Sequence, residues 1–334
     1  MIVFNSYYFF ATSHKKQKAE NHLPSTDGFM AAAHPNHRGL PALYKKLRFF
    51  YRFSKISIIC IVLFFSSCQP TQKSKLSDKV SPQERVWLTQ FFTDIMLFEP
   101  GIYTLWGAHK PMTLIPAANY SEEEMKVIYE SLSEEEKKKE GFSVNVIEGY
   151  EFSEAWGKWE QISHRFPMKR FMLFKQENED PHLFFVVFVD IIKTAAVIQD
   201  NYEAFQKAIG FDFYAMELVL QMNQKDSVLW KNMNPYLEGL LFGYGKTNSQ
   251  LFHWKYLDHP NSCDELCRNI KTSSSNEQLK GLITFTIDNF QIPSFACFNK
   301  IDPIVNIYKE ERMMIKEIYK GRDFLDLTLE KLTE

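Results

Sequence analysis

Glycine and proline are scarce in this chain, 13 and 14 among 334 residues. That excludes collagen and low-complexity polymers, and with 45% hydrophobic residues it excludes a wholly disordered chain as well. Net charge is nearly absent at −2. There is no internal repeat at solenoid or propeller periods. The catalytic signatures G-x-S-x-G and H-E-x-x-H and the dinucleotide fingerprint are missing too, so no side chain is marked as catalytic and no cofactor is expected. Cysteine is limited to five residues. The longest apolar run, Ile56 to Phe65, is ten residues with only Ser57 interrupting it. At 1.5 Å per residue it covers about half of a ~30 Å hydrocarbon layer, which is too short for a spanning helix.

What is there begins with a hidden asymmetry of charge. Residues 1–68 hold nine Lys and Arg against two acids, Glu20 and Asp27. The remainder holds 30 basic against 39 acidic side chains and carries −9. Such a body repels nucleic acid, whose binding depends on Lys and Arg displacing counterions. The cationic lead Lys45, Lys46, Arg48, Arg52 and Lys55 runs directly into the apolar segment Ile56 to Phe65. A charged lead, a short apolar core and small residues after it form the pattern of an export signal.

Phe65, Ser66, Ser67 and Cys68 close that pattern. The segment resembles the type II signal peptide and lipobox of bacterial lipoproteins. The resemblance implies cleavage between Ser67 and Cys68 and lipid attachment at Cys68, whose acyl chains provide the membrane contact. Two or more chains hold a protein stably where one holds it only marginally. Gln69 follows where an aspartate would favour inner-membrane retention, so outer-membrane sorting is expected over inner. The segments GIYTLWGAHKPM (101–112) and GLLFGYGKTNSQLF (239–252) are also similar to stretches of uncharacterised lipoproteins of chlamydial-type intracellular bacteria. That similarity implies a cell-envelope location and no biochemical activity. Residues 1–44 read as an unstructured extension or a mispredicted start. Residues 45–67 read as the signal peptide, and 68–80, polar from Gln69 onwards, as a lipid-attached flexible linker.

From residue 81 to 334 the pattern predicts a single globular α+β domain, a small mixed or antiparallel sheet packed with several amphipathic helices. Ser81, Pro82 and Glu84 form a capping box opening a helix to about Phe98. Residues 101–116 read as two short strands and a turn. Ser121 and Glu124 open another helix, whose charged continuation, 133–140, reads as a solvated end. Phe171 to Phe174 and Leu183 to Val189 read as a hairpin, the second strand central because it is apolar on both faces. A helical stripe from Ile191 to Ile209 closes at Gly210. Further helices are expected over Pro235 to Phe242, Pro303 to Tyr319 and Asp323 to Leu332, and a surface loop over 273–278.

Gly239 to Thr247 ends in the Gly-Lys-Thr of a phosphate-binding loop. Leu240 stands where that loop needs its first glycine, and a helix precedes it where a strand is required. The glycines therefore read as a helix C-terminus. His253, His259, Cys263 and Cys267 supply zinc-binding atom types at a spacing that matches no common zinc pattern, so no metal site is expected. In an oxidising compartment one disulfide among Cys263, Cys267 and Cys297 is allowed, with one thiol left over. His164 and His182 flank the hairpin's first strand. Glu148, Glu151 and Glu154 lie near Trp156 and Trp159, whose i, i+3 spacing reads as core. A glycosidase would need two carboxylates roughly 5–10 Å apart across a bond, which this clustering does not establish. The expectation is an envelope lipoprotein acting as a binding or scaffold module of unknown ligand. The alternatives are a periplasmic hydrolase of envelope material and a chain with an uncleaved N-terminal anchor.

Overall fold

In a computed structural model of the chain, residues 79–131, 142–178, 182–256, 271–273, 285–298 and 302–334 are described. The signal segment, its cleavage position at Ser67 and Cys68, the charged stretch 133–140 and most of 273–278 lie outside them.

Helix α1 (Pro82–Thr93) starts as its sequence dictates. Ser81 Oγ accepts from the Glu84 amide, and the Glu84 carboxylate accepts from the Ser81 amide. It buries Leu88, Phe91 and Phe92, then widens into a π-turn over Asp94–Phe98 that turns Ile95, Met96 and Leu97 inward. Gly101 closes the turn, because a β-carbon there would stand 2.5 Å from the Ile95 carbonyl oxygen. Helix α2 (Ile102–Trp106) follows, where the sequence pattern predicted a strand. Ile102, Tyr103, Thr104 and Leu105 are all buried. A short apolar run enclosed on every side has no periodicity to separate helix from strand.

Strand β1 (Met112–Ala118), helix α3 (Glu122–Ser131), helix α4 (Phe142–Ile162), strand β2 (Phe171–Glu177) and strand β3 (Leu183–Asp190) come next. The second capping box forms at Ser121 and Glu124 as expected. The three strands make an antiparallel sheet of order β1-β3-β2, with Val187 opposite both Leu114 and Phe174. Pro116 is tolerated in β1 because that strand is an edge. All eight residues of β3 are buried. Phe184, Val186 and Phe188 face one apolar cluster with Phe91, Trp159 and Tyr308. Phe185, Val187 and Val189 face a second with Ile198, Phe205 and Leu241. Alternation along one strand thus divides the core into two layers.

Beyond β3 the chain is helical: α5 (Ile191–Asp200), α6 (Tyr202–Ile209), α7 (Ala215–Leu220), α8 (Val228–Lys231), α9 (Pro235–Leu241) and α10 (Gly245–Tyr256). The single helix expected over 191–209 is two, because the chain breaks at Asn201 before Gly210 ends α6 with φ +88°. Two-residue strands β4 (Lys271–Thr272) and β5 (Ala296–Cys297) pair antiparallel. Helices α11 (Pro303–Tyr319) and α12 (Phe324–Thr333) end the fold, capped by Asp302 and Asp323. Arg85 of α1 ties to α12 through Asp323 at 2.6 Å and Asp326 at 2.8 Å. The architecture is α+β, as the composition of elements predicted.

Phe188 is fully buried and stacks on Phe171 with ring centres 5.5 Å apart. Phe188→Ala is expected to lower the unfolding free energy by about 3–5 kcal/mol, whereas Val86→Ala, at a position 75% exposed, should change it little. Urea unfolding of the two variants measures the difference.

Candidate functional site

Two places in the fold gather polar groups, and both involve the glycine-containing segments 101–112 and 239–252. The first is the connection from α2 to β1, Gly107 to Pro111, which is held by charged side chains from three other elements. Asp190 ends β3 with its carboxylate fully buried. It caps α5 by accepting from the Lys193 amide and receives Arg170 at 2.9 and 2.7 Å. Lys193 donates to the carbonyls of Thr104 at 2.5 Å and Gly107 at 2.8 Å. These are carbonyls at the C-terminal end of α2, where a cation is favoured. Burial pushes the Lys193 ammonium down to about 8, opposed by the Asp190 carboxylate 3.3 Å away.

From the other side, Glu311 of α11 accepts the amides of Ala108 at 2.7 Å and His109 at 3.2 Å. The same oxygen meets His109 Nδ1 at 2.7 Å. An ionised carboxylate only accepts, so Nδ1 carries the proton and Nε2 of a neutral ring is left as the acceptor. The His109 side chain is 46% exposed, and Glu311 is buried beneath it. Glu311 Oε2 and the Tyr103 hydroxyl are both buried without a hydrogen-bond partner among the described residues. Gly107 is required here, since a β-carbon would lie 2.5 Å from Glu311 Oε2. Gly243 is required for the same reason on the far side: a β-carbon would meet the His109 carbonyl oxygen at 2.3 Å and the Tyr308 hydroxyl at 2.4 Å. Tyr308 donates to the Gly243 carbonyl at 2.9 Å.

The second place is the hairpin of α9 and α10. Gly243 and Gly245 adopt φ +79° and +74°, reversing the chain in three residues. Gly239 lets the helices approach until its missing β-carbon would sit 2.7 Å from Ser249 Oγ, which itself donates to the Gly245 carbonyl. The glycines do close α9, as expected. Gly245, Lys246 and Thr247 then open α10, a helix that the reading of this segment as a C-terminus did not include. Beside this hairpin lies a groove of about 390 Å³ lined by Tyr236, Lys246, Thr247, Gln250, Leu251, Trp254 and Phe298. Glu238 of α9 is buried nearby in sequence, and loss of water alone pushes its carboxyl up to about 8. Its Oε1 has no hydrogen-bond partner among the described residues.

The residues singled out from sequence are mostly dispersed. His182 stacks on Tyr120 with ring centres 4.8 Å apart, His164 lies in a 3-10 turn after α4, and His253 is half-buried on α10. Glu154 pairs with Lys158 at 2.7 Å on the surface of α4, which also carries Glu148 and Glu151. Trp156 and Trp159 are core residues, as their spacing predicted. Cys297 is buried in β5, where burial pushes its thiol up; Cys68, His259, Cys263 and Cys267 lie outside the described residues. Among the described residues no group of three or more His, Cys, Asp or Glu is placed to hold a metal ion. Sequence reasoning missed His109, Lys193 and Glu311, because their partners are 86 to 203 residues away. It also missed the groove, although Lys246, Gln250 and Trp254 recur every four residues, the spacing of one helix face. The chain matches no family model, no curated protein and no solved structure.

Two outcomes test these environments. Gly210→Ala faces open space at φ +88° and should cost about 1 kcal/mol from the left-handed backbone alone. Gly243→Ala adds the clash with the His109 carbonyl and should cost at least ~1 kcal/mol more, read by thermal and urea unfolding. Glu238 contributes to the pH dependence of stability. The unfolded carboxyl loses its proton near 4.3 and the folded one near 8, so the unfolded chain binds fewer protons between them. The Glu238 contribution to stability therefore falls as pH rises through that window, by at most about 1.4 kcal/mol per pH unit. Glu238→Gln is expected to flatten that slope and to raise stability at pH 8, measured by urea unfolding from pH 5 to 8.

Proposed function

We propose that this protein is a lipid-anchored component of the bacterial cell envelope whose body acts as a binding or scaffold module. Acyl chains on Cys68 hold it at the membrane, with the outer membrane favoured by Gln69. The observation that carries the binding role is the groove on the α9–α10 hairpin, an exposed surface with aromatic walls and one cation. Tyr236, Trp254 and Phe298 supply flat apolar area, and Lys246, Thr247 and Gln250 supply polar contacts. Mixed apolar and polar linings of this size are what ligand sites offer. The anchoring role rests on the charged lead, the ten-residue apolar run and the small residues before Cys68. Among the described residues no helix is long and apolar enough to cross a membrane.

A second reading, a hydrolase of envelope material, draws on one feature. His109 is held through Nδ1 by a buried carboxylate while its side chain stays partly exposed, an arrangement a general base can use. A nucleophile or an activated water would complete it. The binding role is preferred because the groove brings apolar and polar contacts together at one place.

The intact mass of protein extracted from membranes is expected to correspond to residues 68–334 plus acyl chains. Cys68→Ser should abolish the acylated form. Recovery of the full-length chain without acyl chains would overturn the lipoprotein reading and favour an uncleaved anchor. His109→Ala is expected to leave the groove's ligand binding unchanged.

A further inference from the structure

We propose that the groove on α9 and α10 takes a small amphiphilic monoanion, with its carboxylate at Lys246 and a flat apolar body against Trp254. This rests on the reading of the body as a binding module and names the class of its ligand. The three side chains stand at successive i+4 steps on α10 in the order Lys246, Gln250, Trp254. Eight residues at 1.5 Å per residue put about 12 Å between the two ends. One end is cationic and hydroxylic, with Lys246 and Thr247, and the other is aromatic. Tyr236 and Phe298 contribute further aromatic lining from α9 and from the residue after β5.

Charge decides the head group. Lys246 is exposed and makes no hydrogen bond or ion pair with a described residue, and among the described residues no carboxylate lines the groove. It also lies in the first turn of α10, where unpaired amides add partial positive charge. An inorganic anion would use this end and leave the indole uncovered, although Trp254 is 41% exposed. A neutral apolar ligand would use the indole and gain nothing from the ammonium. A ligand with both features uses both ends. The number of charges follows from the rest of the chain. Residues 69–334 carry a net −9, so each added negative charge on the ligand meets growing long-range repulsion, while Lys246 is the one cation lining the groove among the described residues. At 390 Å³ the space lies near the lower limit for ligand pockets, which suits a single ring system with a short acid chain.

Isothermal titration of the detergent-solubilised mature protein with indole-3-propionate, indole-3-propionamide and inorganic phosphate tests this. The carboxylate is expected to bind saturably at one site. The amide should bind roughly fivefold more weakly, as one part-exposed ion pair is worth up to about 1 kcal/mol. Phosphate should bind more weakly than either. Lys246→Gln should remove the preference for the acid over the amide, and Trp254→Ala should weaken both organic ligands at least tenfold. Both side chains are exposed, and unchanged thermal unfolding of the variants confirms that they fold. Equal binding of acid and amide, or an acid preference that survives Lys246→Gln, overturns the proposal and leaves the module reading intact. Saturable binding of neither organic ligand also overturns it. The acylation state of Cys68, read by mass on the same preparation, reports separately on the anchoring.

Discussion

Strand β3 has no solvent on either face, and the layering of the fold follows from that. Its alternating side chains must be satisfied by two separate apolar layers, one built with α1, α4 and α11 and the other with α5 to α9. A two-sided strand needs a neighbour on each edge for its backbone groups, and β1 and β2 provide them in antiparallel register. Helices such as α5, α6 and α11 are amphipathic because each has one layer to fill and one side left to water.

Where β3 ends, hydrophobic burial gives way to a buried ionic arrangement. Asp190 turns the chain from strand into helix, pairs with Arg170 and Lys193, and places the Lys193 ammonium on the carbonyls of α2. A buried charge without such partners would be destabilising by several kcal/mol, so the network has to be complete to be tolerated. Glu311 grips the other side of the same connection through backbone amides. The glycines at 107 and 243 leave the space these groups occupy. Segments 101–112 and 239–252 therefore meet as one structural unit, because Gly243 packs on the carbonyl of His109.

The elements with strong local signals were legible beforehand. Ser81 with Glu84 and Ser121 with Glu124 fixed two helix starts, since their hydrogen bonds join residues three apart. Leu183 to Val189 identified a central strand through its unbroken apolar character. Tertiary context won at α2, where four consecutive buried residues of a helix mimic a strand, and at Asn201, where a continuous apolar stripe conceals a break. It won again at Gly245, where positive φ on both sides of Tyr244 lets a second helix begin at once.

The sequence by itself determined the local chemistry of this protein: the charged lead and short apolar run before Cys68, the caps and the strand of β3. Each depends on one continuous stretch of chain, so periodicity and spacing carry it. Only the tertiary structure decided that Glu311 would hold His109, that Lys193 would close α2, and that Tyr236 and Phe298 would face α10 across a groove. Those pairings join positions tens to hundreds of residues apart, and nothing in a linear pattern encodes which distant side chain fills a given space.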